Sequence, residues 1–234
     1  MLKRLSILLL GLALGALAHA ADTFEAGKQY FVIEPPQPTN TGDKIEVLEV
    51  FSYACPACNM VQPTMRKLKA ALPENAQIDY LPASFRSDED WPMFQRAFFT
   101  MQALGILDKA HEATFDAIWK DNGPLRISDP TTRRPVSPMP SIEDAARFYA
   151  QFGVTPEEFL GVANSFAVNT KMKRADQQLK AYGVDSTPTL IVNGKYRVTG
   201  VSAGGFDKLI EVVLYLVHKE SAAGAAAAAA APAH

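Results

Sequence analysis

The chain has 234 residues, 48% of them hydrophobic, 9% aromatic and 21% charged, close to the averages of folded soluble proteins, and this excludes disorder throughout. A chain of this length makes one large domain or two small ones and buries roughly 70% of its unfolded surface without covalent staples, so its cysteines are not needed as a scaffold. With 23 basic against 25 acidic residues there is no positive surplus to neutralise phosphates, which argues against nucleic acid as a partner.

Lys3 and Arg4 precede an apolar run from Leu5 to Ala18, whose 14 residues are short for roughly 30 Å of hydrocarbon but suit a signal-peptide core. Ala18-His19-Ala20 then places small residues where a signal peptidase reads. Residues 1–20 are therefore read as a signal peptide and the protein as exported.

Export changes what two cysteines mean. In an oxidising compartment Cys55 and Cys58 can be a structural disulfide, metal ligands or a redox pair. Cys55-Pro56-Ala57-Cys58 closes too short a loop to restrain the unfolded chain much. A structural zinc site takes four ligands, and the exported chain adds only His111, His218 and His234, none at ligand spacing to another. No metal, flavin or nucleotide motif is present, so no cofactor is expected.

The surroundings favour redox chemistry. Ile45 to Phe51 is rich in β-branched and apolar residues, follows Thr41-Gly42-Asp43 and reads as a buried central strand ending just before Cys55. Pro56 suits a first helical position, and Met60, Val61, Met65, Leu68 and Leu72 then recur at helical spacing up to Pro73. Cys55 thus falls at a helix N-terminus, where unpaired N–H groups favour the thiolate and make it the attacking and leaving sulfur. Cys58, one turn inside, is expected to be the more buried, resolving thiol. Alternation puts Glu49 in one row with Ile45, Val47 and Phe51, a carboxyl whose pKa rises if the row is dry.

Ala76 to Leu81 reads as the next strand, after which the pattern turns helical. Trp91, Phe94, Phe98, Met101 and Leu104 share one face up to Gly105, and a second helix runs from about Asp108 to Gly123-Pro124 around Phe115, Ile118 and Trp119. Its His111 reads as a packing residue. Ser141 with Asp144, and Thr155 with Glu158, have capping-box spacing and start two more helices, the second carrying Phe159, Val162, Phe166 and Leu179 toward Tyr182-Gly183. Ile127 to Pro140, with four prolines, is a surface loop. Downstream, Thr187-Pro188 opens a strand from Thr189 to Val192, and Asn193-Gly194 turns it into a second strand. A final helix buries Phe206, Leu209, Ile210, Val213, Leu216 and Val217, and the Ala-rich segment 221–234 reads as a flexible tail.

A strand, a Cys-x-x-Cys helix and a later Thr-Pro opening a hairpin resemble the thioredoxin-like oxidoreductases. More narrowly, Glu25 to Tyr30, Val47 to Tyr53 and Val192 to Tyr196 look like the DsbA family of periplasmic thiol oxidases, over about Gly27 to Glu220. The resemblance implies an α/β fold: a thioredoxin-like domain, 21–85 and 167–220, interrupted by an all-helical domain, 86–166. The 133 positions between Cys55 and Pro188 require such an insert, since a strand crossover needs only about a dozen residues.

The resemblance also implies a periplasmic, monomeric dithiol–disulfide oxidase with a low-pKa, strongly oxidising pair. Cys55 and Cys58 would be catalytic, Pro188 cis, and Glu49 a proton relay for Cys58. Pro56, Ala57 and Thr187 would tune the potential and meet substrate. Partners would be reduced exported proteins and a quinone-linked membrane oxidase of the DsbB type. The competing readings are a reductase or isomerase kept reduced by a membrane donor, and a non-catalytic chaperone or copper-binding module. The chain departs from the family pattern in three places: Ala57 where His is common, Thr187 where Val is common, and Tyr80 where a lysine often faces the buried acid.

Overall fold

The computed structural model describes residues 24–230; the expected signal peptide and the end of the expected tail lie outside them. Strands β1 (Phe31–Val32), β2 (Ile45–Phe51), β3 (Ala76–Pro82), β4 (Thr189–Val192) and β5 (Tyr196–Thr199) form one sheet in the order β1-β5-β4-β2-β3. Strands β2 and β3 run parallel and the other neighbours antiparallel. Helix α1 (Pro56–Ala71) makes the β2–β3 crossover, and α7 (Gly200–Ala203) and α8 (Phe206–Ala230) follow the hairpin. Between β3 and β4 stand α2 (Trp91–Ala103), α3 (Leu107–Trp119), α4 (Ile142–Tyr149), α5 (Pro156–Ala163) and α6 (Phe166–Ala181). This is the thioredoxin-like α/β arrangement expected from the sequence.

Every residue of β2 is buried, because both faces of the sheet are covered. Val47, Leu190 and Val192 face Val61, Met65 and Leu68 of α1 and Leu209, Val213 and Leu216 of α8. Leu48, Val50 and Ile191 face the core shared with the helices between β3 and β4. The turn between β4 and β5 uses Asn193 and Gly194 at φ 51° and 66°, the left-handed pair that a two-residue hairpin requires. At the free edge of the sheet the Asp79 carboxylate accepts the Tyr80 N–H at 2.9 Å, which occupies a donor that another strand could use. Among the described residues no helix is long and apolar enough to cross a membrane.

Both capping boxes form as expected, at Ser141 with Asp144 and at Thr155 with Glu158. Three expectations are corrected. Helix α3 stops at Trp119 rather than Gly123, because the chain folds back under its own end. Leu125 N–H bonds the Ala117 carbonyl at 3.0 Å, and a side chain at Gly123 would meet that carbonyl oxygen at 2.0 Å. The helix begun at Thr155 ends at Ala163, and Ser165 caps a new one by accepting the Val168 N–H, which leaves Phe166 86% exposed. Finally, residues 221–230 of the expected flexible tail continue α8. That segment is not an isolated peptide but the extension of a packed helix, so it adds residues without paying for nucleation.

Candidate active site

Cys55 is the N-cap of α1, with φ −85° and ψ 118°, and Pro56 takes the first helical position. The turn before it is locked by Cys55 N–H to the Ser52 carbonyl at 3.1 Å and Ala54 N–H to Ser52 Oγ at 3.2 Å. No acidic residue stands in the first turn of α1, so nothing there opposes a negative sulfur. The Thr187–Pro188 peptide bond is cis, and Cys55 Sγ lies 3.6 Å from the Thr187 carbonyl oxygen. Sequence positions 55, 58, 187 and 188 thus meet at one point.

The structure records both cysteines as free thiols, and they sit in different surroundings. A hydrogen bond from the Cys58 thiol is the largest influence lowering the Cys55 pKa, to about 6; the Thr187 hydroxyl and the N–H groups of Cys58 and Ala57 add to it, against burial. Thr187 Oγ1 is buried with no other partner and is free to turn to this sulfur. Burial above all, and then Cys55 itself, push Cys58 well above the ordinary thiol value. The sequence reading named the helix end and its N–H donors but not the second thiol as a donor to the first. Cys55 is only 6% exposed and Cys58 0%, so Cys58 is the more buried of the two, as its place one turn inside the helix led us to expect.

Beside the cysteines lies a groove of about 530 Å³ lined by Ala57, Thr187, Pro188, Val201 and Phe206, among others. Gly200 sits under the Phe206 ring, where a side chain would meet it at 2.8 Å, so the bare backbone is what lets the ring form the floor. Val201 stands 94% exposed at the rim. Ala57 contributes no charge. Placing His there, beside the sulfur, should lower the Cys55 pKa and make the disulfide more oxidising; about 1.4 kcal/mol of added thiolate stabilisation corresponds to about 30 mV. Thiolate absorbance against pH and the glutathione equilibrium of Ala57→His check this, and a fall in potential would contradict it.

Glu49 is 0% exposed, and neither carboxyl oxygen has a hydrogen-bond partner. Burial pushes its pKa up to about 8, and its charge bears on Cys58. The strand register pairs it with Tyr80 on β3 and Leu190 on β4, so the position that faces it across β3 holds a phenol and not an ammonium.

Helix α3 reaches this centre in a way the sequence reading did not find. Trp119 Nε1 donates to the Tyr53 carbonyl at 2.8 Å, and the Tyr53 hydroxyl is hydrogen-bonded to His111 Nδ1 at 2.8 Å. Burial, with a smaller effect from Lys69, holds the imidazole down at about 3, so it stays neutral near pH 7. Tyr53 belongs to the turn that presents Cys55, and the backbone N–H of neighbouring Ser52 supports the Cys58 sulfur. The available signal was the spacing of His111, Phe115 and Trp119, which reads as ordinary packing.

A profile of the DSBA-like thioredoxin domain matches residues 46–209. The thiol:disulfide interchange protein DsbA of Pseudomonas aeruginosa is 36% identical over 211 residues, which cover 90% of this chain and 92% of that one. Its counterpart in Pseudomonas syringae pv. tomato is 37% identical over 213 residues, with 91% and 92% covered. The crystal structure of Pseudomonas aeruginosa DsbA matches with a TM-score of 0.71 and 35% identity over 87% of this chain and 98% of that one. That of the oxidoreductase DsbA from Xylella fastidiosa matches with a TM-score of 0.71 and 29% identity over 85% and 98%. The chain belongs to the family of DSBA-like thioredoxin domains.

Proposed function

We propose that this thiol:disulfide oxidoreductase works as an oxidase in the periplasm, donating the Cys55–Cys58 disulfide to reduced, newly exported proteins. One observation carries the reading: the environment favours the Cys55 thiolate, with its pKa at about 6, while Cys58 is pushed the other way. Stabilising one thiolate stabilises the dithiol and so makes the disulfide a better oxidant.

A client thiolate attacks Cys55 Sγ, the Cys55–Cys58 bond breaks, and its electron pair leaves on Cys58, which takes a proton from Glu49. A second client thiolate attacks the client sulfur of the mixed disulfide and releases Cys55 as thiolate. Client chains lie along the Thr187-Pro188 edge and pair through their backbone, which tolerates many sequences. Pro188 shapes that edge, and Pro56, Ala57 and Thr187 set the potential and the fit. The segments 21–85 with 167–220 form the thioredoxin-like domain and 86–166 the inserted one. The protein acts as a monomer and passes its electrons to a quinone-linked membrane protein of the DsbB type.

The test is the thiol state in cells together with the reduction potential against glutathione. Alkylation trapping should find the pair mostly oxidised, and the purified disulfide should oxidise a reduced peptide. A mostly reduced pair in cells would instead make the protein a reductase or isomerase.

A further inference from the structure

The residues from Ser52 to Cys55 form the turn that joins β2 to α1, closed by the bond from Cys55 N–H to the Ser52 carbonyl at 3.1 Å. Closing it leaves the central peptide, between Tyr53 and Ala54, with a carbonyl and an N–H that the turn itself does not satisfy. Ser52, Tyr53 and Ala54 are all buried, so both groups need partners in the protein. Both have one. Ser52 Oγ accepts the Ala54 N–H at 3.2 Å, and the Trp119 indole N–H reaches in from α3 to the Tyr53 carbonyl at 2.8 Å. A trans peptide points its carbonyl and its N–H in opposite directions, so the two bonds grip the unit from its two sides.

This grip bears on a distance that the chemistry depends on. The N–H groups of Ala57 and Cys58 that support the Cys55 sulfur belong to the first turn of α1, whereas the sulfur hangs from the last residue of the joining turn. Helix α1 is held separately, because Val61, Met65 and Leu68 pack in the core under the sheet. The turn therefore sets how the sulfur registers with those donors, and with the Thr187 carbonyl 3.6 Å away. We propose that Ser52 and Trp119 are positioning residues for Cys55, gripping the Tyr53–Ala54 peptide from its two sides and so holding the sulfur over the helix N–H groups and against the Thr187–Pro188 edge. The inference rests on reading Cys55 as the sulfur that meets the client.

The direction of the effect follows from charge. Hydrogen bonds to the Cys55 thiolate are charge-assisted, while the same sulfur in the disulfide carries no charge and gains little from them. A shift of about 0.5 Å is enough to spoil such an alignment. Loosening the turn thus costs the reduced form more than the oxidised one, and the disulfide becomes a weaker oxidant. A merely structural role would weaken both forms alike and leave their balance untouched.

The test compares Ser52→Ala, Trp119→Phe, the double variant and Ser52→Thr with the unaltered protein. Thiolate absorbance against pH, the glutathione equilibrium and denaturant unfolding of both redox forms are measured on each. Ser52→Ala removes the acceptor, and Trp119→Phe keeps an aromatic ring without its N–H. Each should raise the Cys55 titration above its value of about 6 and shift the glutathione equilibrium about tenfold toward the disulfide, which is about 30 mV. Both changes free the same peptide, so the double variant should shift by less than the sum. Ser52→Thr keeps a hydroxyl and should restore both readings. If the single variants unfold more easily in both redox forms while titration and equilibrium stay put, the contacts are structural only and the proposal fails. A shift in Ser52→Ala without one in Trp119→Phe overturns the part given to Trp119. Clients found attached to Cys58 would instead overturn the reading of Cys55, whatever these variants do.

Discussion

Cys55→Ser should abolish thiol exchange altogether, and Cys58→Ser should leave attack intact while collecting mixed disulfides with clients. The asymmetry follows from the two environments. Cys55 caps α1 and has a pKa at about 6, whereas Cys58 has no exposed surface and a raised pKa. Without Cys55 no thiolate is presented to a client disulfide. With Ser at 58, a hydroxyl still donates to the Cys55 sulfur, so the nucleophile stays active, but nothing can displace a client bound to it. Non-reducing gels and mass spectrometry of each variant incubated with an oxidised peptide read this directly. Adducts that accumulate on Cys58 in Cys55→Ser would reverse the roles.

Glu49→Gln should make the protein more stable and slower at once. The folded pKa of Glu49 is about 8 against an ordinary 4.5. Below the ordinary value both states are protonated and the group is neutral with respect to stability. Between the two values the folded chain holds a proton that the unfolded chain has lost, so stability falls as pH rises through that window. Glutamine removes the burden of a carboxylate with no partner, and denaturant unfolding of the reduced protein near pH 8 should show a gain on the order of a few kcal/mol. Release of mixed disulfides through Cys58 should slow about a hundredfold, because the base that deprotonates the buried thiol is gone. A stability gain from Glu49→Gln that is the same at pH 5 and at pH 8 would show that the carboxyl is not dry.

What the sequence made legible was local. The β2 run, Pro56 after Cys55, the Asn193-Gly194 turn and the boxes at Ser141 and Thr155 each carry their signal within a few residues, and each forms as read. The break at Ser165 was hidden because Phe159, Val162 and Phe166 keep helical spacing across it, and an apolar residue at the right interval can still face water. Position 80 opposite Glu49 was legible through the resemblance and agrees with the register. The grip on Tyr53 was not legible. It joins residues 58 and 66 positions apart, His111 and Trp119, through contacts that no periodicity encodes. Nor was the Cys58 thiol as a donor, since that depends on how the first turn of α1 winds.

The contacts from Trp119 and His111 to Tyr53 give α3 a hold on chemistry carried out elsewhere. The turn that sets Cys55 at the helix end is braced from outside the Cys-x-x-Cys segment, by two side chains of a separate helix. Local opening of α3 is therefore linked to the position of this turn: whatever loosens the helix removes the brace behind Tyr53 while the sheet is still folded. Changes along α3 could thus retune such a protein with all four residues from Cys55 to Cys58 left as they are.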